Sequence, residues 1–282
     1  MGLENKDWRQ EFRERLNDGG IFATQVPSDI FYLLRLSGSE KLLFNLLSID
    51  QHTDAEESVK LRREAEQNGV QVIQLWEDIW INRPEQVLSR IKSVLGLNRR
   101  VHGRKTTIVP VNQETANSFF NRHHLQGTAG CKYRFGLELD NELLAVAGFS
   151  AKRPMNHTEG YNSVELIRFA TIDGLTVTGG LSKLIRHFVQ SAHPDDVMSY
   201  ADQDWSDGNG YIRLGFSQVG ETPPMQILLH KGTMERCLLH RLPAALQKDI
   251  EPMQEPERMS YLEKLNYTTV FNTGNLKYLL YL

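Results

Sequence analysis

Cysteine is nearly absent: 282 residues carry only Cys131 and Cys237. Two thiols cannot build a disulfide framework or an all-cysteine zinc site, so a reducing, cytoplasmic setting is expected. Long apolar runs are also missing, and none approaches the roughly 18 residues that a membrane span needs. The opening MGLENKDWRQ is polar and charged, unlike a secretory leader. Neither H-x-x-x-H nor C-x-x-C spacing occurs, so no metal site is expected, and the phosphate loop G-x-x-x-x-G-K-[ST] is absent. There is no internal repeat and no low-complexity stretch. What remains is ordinary globular composition, 40% hydrophobic and 24% charged, which argues against wholesale disorder. At about 150 residues per domain, two domains are expected.

Net charge is only −3, which taken alone discourages nucleic-acid binding. The average hides an asymmetry. Residues 1–97 sum to −4, residues 98–134 to +6 and residues 135–282 to −5. The middle block holds Arg99, Arg100, Arg104, Lys105, Arg122, Lys132 and Arg134 against Glu114 alone. Such a stripe suits a phosphate backbone, or equally a solvated linker and a charged helix face.

The periodicities describe an α/β protein. In the first segment Trp8–Leu16 reads as a charged helix, and Ile30–Leu36 with Leu42–Ile49 as a hairpin around SGSE. Asp54–Gln67 is helical and stops at Asn68-Gly69. Val70–Trp76 alternates as a strand, and Pro84–Leu95 repeats its apolar residues at helical spacing. The basic stretch after Gly96 marks a boundary, giving domains 1–97 and 98–282. In the second, Thr106–Val111 reads as a strand and Glu114–Arg122 as a helix. Tyr133–Leu139 and Leu143–Ser150 form a tight hairpin around Asp140-Asn141-Glu142. Val164–Ala170 is a strand, LTVTGG a Gly-rich loop, Leu181–Ala192 a helix, Val197–Ala201 a strand and Gly208–Leu214 a short helix. Near the end, Thr268–Phe271 and Leu276–Leu280 read as a further hairpin.

Three motifs carry chemistry. Gly179-Gly180 lets the backbone bend close to a ligand ahead of a helix N-terminus, an arrangement that suits a pyrophosphate. Ser182 and Lys183 add a hydroxyl and a cation. The plainer alternative is a structural strand-to-helix turn. The strand end Ser199-Tyr200-Ala201-Asp202 offers a hydroxyl and a carboxylate beside Trp205, and Tyr211 offers a phenolic proton donor. Separately these read as a loop cap and a core tyrosine. In His123-His124-Leu125-Gln126-Gly127 the two imidazoles point in different directions, so one can act as a base.

Together, a Gly turn before a helix, the next strand and then Tyr211-x-x-x-Gly215-Phe216 resemble the GNAT acyltransferase fold. The resemblance implies a mixed sheet with helices, an acyl-coenzyme A or other activated donor held by Gly179, Gly180, Ser182 and Lys183, and Tyr211 protonating the leaving thiolate. Val177–Ser182 departs from the usual Q/R-x-x-G-x-G/A signature. A wider resemblance is to phage and bacterial proteins of the Mom (adenine methylcarbamoylation) and Hef-like homing endonuclease families. It rests on His124–Gly127, Glu165-Leu166-x-Arg168-Phe169, Gly179-Gly180-x-Ser182-Lys183-Leu184, Ser199–Asp202, Trp205-Ser206-x-Gly208, Tyr211-x-x-x-Gly215-Phe216 and Gly274–Tyr278. It implies a transferase acting on the adenine amine of DNA, with catalytic residues His124, Ser199, Asp202 and Tyr211. Residues 1–97 are similar to a restriction-endonuclease-like α/β domain of the very-short-patch-repair type, through Gln71–Trp80 and the charged helix before it. Only Asp50, His52, Glu77 and Asp78 stand where that fold binds magnesium, so a degenerate nuclease module is expected.

On this reading Arg99, Arg100, Arg104, Lys105 and Arg122 hold phosphates, and Trp205 or Tyr133 stacks a flipped base. Asp202 or His124 deprotonates the amine. The rivals are an endonuclease, a non-catalytic nucleic-acid-binding protein and a small-molecule acyltransferase.

Overall fold

The computed structural model describes residues 7–51, 53–155 and 158–282. Their contacts divide into two compact units. The first gathers the chain up to Asn82 together with Asp202–Asp207 and Thr222–Asn275. The second gathers Arg83–Ala201, Gly208–Glu221 and Leu276–Leu282. The 97/98 boundary expected from the sequence therefore lies inside the second unit, and much of the C-terminal segment groups with the first.

The first unit opens with α1 (Trp8–Asp18), which buries Trp8, Phe12 and Leu16 at helical spacing. Strands β1 (Ala23–Val26), β2 (Leu33–Leu36) and β3 (Leu42–Leu47) pair antiparallel. The side chain of Asp54 caps α2 (Ala55–Gln67) by accepting the Glu56 N–H. Beyond it, β4 (Gln71–Trp76) runs parallel to β3. All six residues of β3 are buried, as expected for a strand covered on both faces. Inside this apolar pair, the Asn45 Nδ2 donates to Gln74 Oε1 at 2.8 Å. Helix α3 (Glu77–Asn82), which no sequence signal announces, places Trp80 edge-on to Phe12 at 5.0 Å.

The second unit starts with α4 (Pro84–Val94), whose Pro84 suits the first helical turn. There follow β5 (Arg99–His102), β6 (Thr107–Pro110), α5 (Gln113–His123), β7 (Tyr133–Leu139), β8 (Glu142–Phe149), β9 (Arg153–Pro154), β10 (Asn162–Thr171), β11 (Leu175–Thr178), α6 (Gly180–Ala192), β12 (Asp196–Asp202), α7 (Asn209–Arg213) and β13 (Ser217–Thr222). The β7–β8 turn carries Asp140 and Asn141 at φ 53° and 64°, the left-handed pair that a two-residue hairpin requires. The principal sheet has the order β13-β17-β12-β10-β8-β7-β6, where β17 is Asn275–Tyr281. Helix α6 packs Leu184, Ile185 and Phe188 into the main core, and Phe188 stacks on Phe149 at 4.1 Å. Helix α5 packs Ala116, Phe119 and Phe120 against Val146 and Ala170.

The remaining elements are β14 (Met225–His230), β15 (Glu235–Cys237), α8 (Ala244–Ile250), α9 (Glu255–Lys264) and β16 (Tyr267–Asn272). Strands β14, β15 and β16 make a separate three-stranded sheet. The hairpin expected around Asn272–Asn275 is therefore not formed. Strand β16 pairs β14, while β17 joins the principal sheet. Gly274 at φ 97° makes the sharp turn, and a Cβ there would stand 2.2 Å from the Thr222 carbonyl. LTVTGG is also corrected. Leu175–Thr178 is a strand paired parallel to β5, and only the glycines make the turn.

The acidic residues expected as remnants of a magnesium site are held by protein partners in the first unit. Asp50 pairs with Lys231 at 2.8 Å, and Glu77 accepts the Ile49 N–H at 3.1 Å. Asp78 takes a two-pronged bond from Arg236 at 2.6 and 2.9 Å. His52 lies outside the described residues. No cluster of three or more potential metal-ligating side chains occurs among the described residues, and no helix among them is long and apolar enough to cross a membrane.

One buried acid in this unit titrates abnormally. Asp204 receives the backbone N–H and hydroxyl of Thr273 at 2.8 and 2.7 Å. Burial, then the neighbouring Asp202 carboxylate, raise its pKa to about 7. The folded protein thus keeps a proton that the unfolded chain releases near the ordinary value of 3.8. Stability from this group is complete below that value and is lost as pH rises toward about 7. Asp204→Asn keeps the acceptor and removes the titration. In urea unfolding, its midpoint should change less than wild type's between about pH 5 and about pH 8. An equal change in both proteins would refute this.

Candidate active site

The centre of the principal sheet opens. Strand β10 has ten residues, yet it pairs with β12 in parallel only at Ser163–Asp196, Val164–Val197 and Glu165–Met198. Its register with β8 also shifts between Leu166 and Arg168. Beyond Glu165 the ladder between β10 and β12 is lost. A bulge re-aims a strand at such a place, and the missing rungs leave a gap in the ladder.

Ser199 sits at the mouth of this gap. Its Oγ lies 3.0 Å from the Leu166 carbonyl and 2.8 Å from the Tyr211 hydroxyl, and the residue is only 1% exposed. A hydroxyl has one proton, so the chain can be satisfied in two ways. Either Ser199 donates to Leu166 and accepts from Tyr211, or it turns its proton toward the tyrosine oxygen. Tyr211 is fixed by stacking on Tyr278 at 5.2 Å and by the edge of Phe216 at 5.4 Å. Burial raises its pKa, while the Ser199 bond, Arg90 and Arg168 pull it back.

His124 ends α5. Its Nδ1 accepts the Gln126 N–H at 3.1 Å. Burial foremost, then Arg168, Arg90 and Arg83, lower its pKa to about 3. A base of that strength takes no proton efficiently near neutrality, so the deprotonating role expected from the sequence does not suit it. Arg83 and Arg168 also brace its turn. Arg83 Nη1 donates to the Asn121 carbonyl at 2.8 Å, and Arg168 Nε to the Gly127 carbonyl at 3.3 Å. The sequence alone assigns no role to these arginines, although Arg168 stands inside the Glu165–Phe169 motif.

The glycine turn lies at the start of α6. Gly179 adopts φ 73°, and nothing lies within 4 Å of the position a Cβ would take, so a ligand can approach its backbone. Gly180 is needed for packing, since a Cβ would stand 2.8 Å from Leu137 and Val177. Gly103 packs on both glycines, its own Cβ position 3.1 Å from the Gly180 nitrogen. The β5–β11 register sets His102 opposite Thr178, which brings the exposed Arg104 and Lys105 to the same turn. Arg99 and Arg100 lie along β5 and are exposed, as is Arg122 on α5. Lys183 points elsewhere. Its Nζ donates to the Gly103 carbonyl at 3.0 Å and to that of Thr106, which ties α6 to the basic segment. The Ser182 hydroxyl receives Arg186 at 3.3 Å.

Four expected residues are placed differently. Asp202 groups with the first unit, where its Oδ1 accepts the Asp204 N–H at 3.0 Å and its carbonyl the N–H groups of Trp205 and Ser206. Trp205 is 8% exposed, too buried to stack a base as placed. Tyr133 packs against Phe188 at 5.4 Å. Arg134, counted among the basic block, is spent on the Val111 and Cys131 carbonyls and on Gln113.

No family model matches the chain, and no curated protein matches it. Solved structures do. An acetyltransferase of Bacillus subtilis in complex with CoA is 13% identical over 63% of this chain and 99% of its own, with a TM-score of 0.34. An IAA acetyltransferase of Bacillus cereus is 10% identical over the same shares, with a TM-score of 0.33. A GNAT family acetyltransferase of Elizabethkingia anophelis with acetyl-CoA bound is 10% identical, again over 63% and 99%, with a TM-score of 0.32.

Proposed function

We propose that the second unit transfers an acyl group from an acyl-coenzyme A to an amine. The observation that carries this is the opening of β10 from β12 with the Tyr211–Ser199 pair at its mouth. Strand edges that have lost their partners can bind an extended amide-bearing arm by main-chain hydrogen bonds. The residues nearby fit the rest of such a donor. The start of α6 has no side-chain cap, Gly179 is open, and Arg104 and Lys105 stand beside it, so phosphates would meet N–H groups and cations together.

When bound, the donor supplies a thioester carbonyl as the electrophile. Attack by the amine forms the C–N bond and breaks the C–S bond, and the amine's proton passes to water. Tyr211 holds its proton at the phenolic oxygen and delivers it to the departing sulfur. Ser199 then turns its own proton from the Leu166 carbonyl to the phenolate, which stabilises the charge until water reprotonates it. The assay is isothermal titration with acetyl-CoA. Saturable binding is expected, weakened by Arg104→Ala combined with Lys105→Ala and by added salt. No heat of binding at millimolar donor would overturn the reading.

A nucleic-acid base amine, with the adenine amine of DNA as the specific form, is the acceptor favoured by one observation. Arg99, Arg100, Arg104, Lys105 and Arg122 are all exposed within the block of net charge +6. Nucleosides from the DNA of cells expressing the protein should then include a modified deoxyadenosine by mass spectrometry. Unmodified DNA alongside turnover on small amines would place the acceptor among small molecules.

A further inference from the structure

We infer that His124 serves this reaction as a neutral hydrogen-bond donor through Nε2–H, and not as a base. The inference rests on the acyl-transfer reading and deepens it. A backbone N–H can only donate, so the Gln126 N–H at 3.1 Å requires a lone pair on His124 Nδ1. The one proton of a neutral imidazole is therefore on Nε2. Protonating Nδ1 would set two donors against each other and break that bond. The turn cannot easily yield, because it is fixed at several points. The Gly127 N–H bonds the His124 carbonyl at 2.9 Å, and Gly127 takes the left-handed φ of 62°. Gln86 Nε2 holds the Arg122 carbonyl at 2.7 Å, Arg83 holds that of Asn121, and Arg168 that of Gly127.

The charges around the ring act the same way. Arg83 at the N-cap of α4, Arg90 within that helix and Arg168 on β10 all oppose an imidazolium. Arg168, which bonds the Gly127 carbonyl of the His124 turn, follows Leu166 along β10, and the Leu166 carbonyl holds Ser199 Oγ and through it the Tyr211 hydroxyl. Nε2 makes no hydrogen bond among the described residues. A preorganised neutral N–H is the group that stabilises a developing carbonyl oxyanion without itself losing a proton. The attacking amine's proton still goes to water.

The test has two parts. In protein labelled with ¹⁵N-histidine, His124 should show a protonated Nε2 and an unprotonated Nδ1, unchanged from about pH 5 to about pH 8. This readout needs no turnover, so it stands apart from the fate of the acyl-transfer reading. In kinetics, His124→Phe should lower kcat about 10²-fold with little change in the donor's KM. His124→Gln, whose amide nitrogen can stand near Nε2, should recover most of that loss. A proton on Nδ1, a titration in that range, or a glutamine variant as inactive as phenylalanine would overturn the inference.

Discussion

Tyr211→Phe is expected to lower kcat for acyl transfer by roughly 10²- to 10³-fold, within the usual range for a positioned proton donor. The substitution removes one oxygen and nothing else. The ring keeps its stack on Tyr278 and its edge contact with Phe216, so α7 and the donor gap stay in place. KM for the donor should therefore move little, while kcat and kcat/KM fall together, the signature of an interaction made in the transition state. The Ser199 hydroxyl keeps its bond to the Leu166 carbonyl, so folding is not at stake. Thiol release followed at saturating donor gives the number directly. A phenylalanine variant with wild-type kcat would remove Tyr211 from the chemistry and return it to the core.

The largest loss of stability is expected from Asp78. This carboxylate is fully buried, and Arg236 is its two-pronged partner at 2.6 and 2.9 Å. Asp78→Leu leaves a guanidinium with 22% side-chain exposure and without its carboxylate partner, a change that typically costs about 3–5 kcal/mol. Arg236→Met leaves the buried carboxylate alone and should cost as much. The double change Asp78→Leu with Arg236→Met removes both charges and should recover most of the loss, since an apolar pair of similar volume often equals a buried ion pair. Urea unfolding of the four proteins closes the cycle. A double variant as unstable as either single one would mean that shape at this site, and not charge, is what the fold requires.

Where signals are local, the sequence expectations match the structure. The charged run Asp54–Gln67 predicts α2, Asp140-Asn141 the β7–β8 turn, and the spacing of Val87 and Ile91 the buried face of α4. Where partners are distant, they do not. Strand β1 is half polar and short, and α3 follows β4 without a break. Asn272–Asn275 looks like a hairpin because nothing local says that β16 and β17 will find different sheets. The same limit divides the site. Ser199 and Tyr211 stand out as polar groups near a strand end, and they meet at 2.8 Å. Lys183 stands out as a cation, yet its charge is taken by two carbonyls about 80 residues away, at Gly103 and Thr106. Arg83 and Arg90 precede the basic stretch and look like ordinary helix-surface charges. Only the packing of α4 on the end of α5 gives them a role.

The early parting of β10 from β12 also has a kinetic consequence for the backbone. Amides in a closed ladder exchange with water only when the strands open, while amides aimed into a gap have no such protection. Val164 and its neighbours in the three closed rungs therefore belong to the slow-exchanging heart of the sheet. Beyond Leu166 the rungs to β12 are missing, and the amides there border the gap. Their exchange rates are set by whatever fills it. One strand thus carries a permanent record of the fold at its start and a reporter of occupancy at its end.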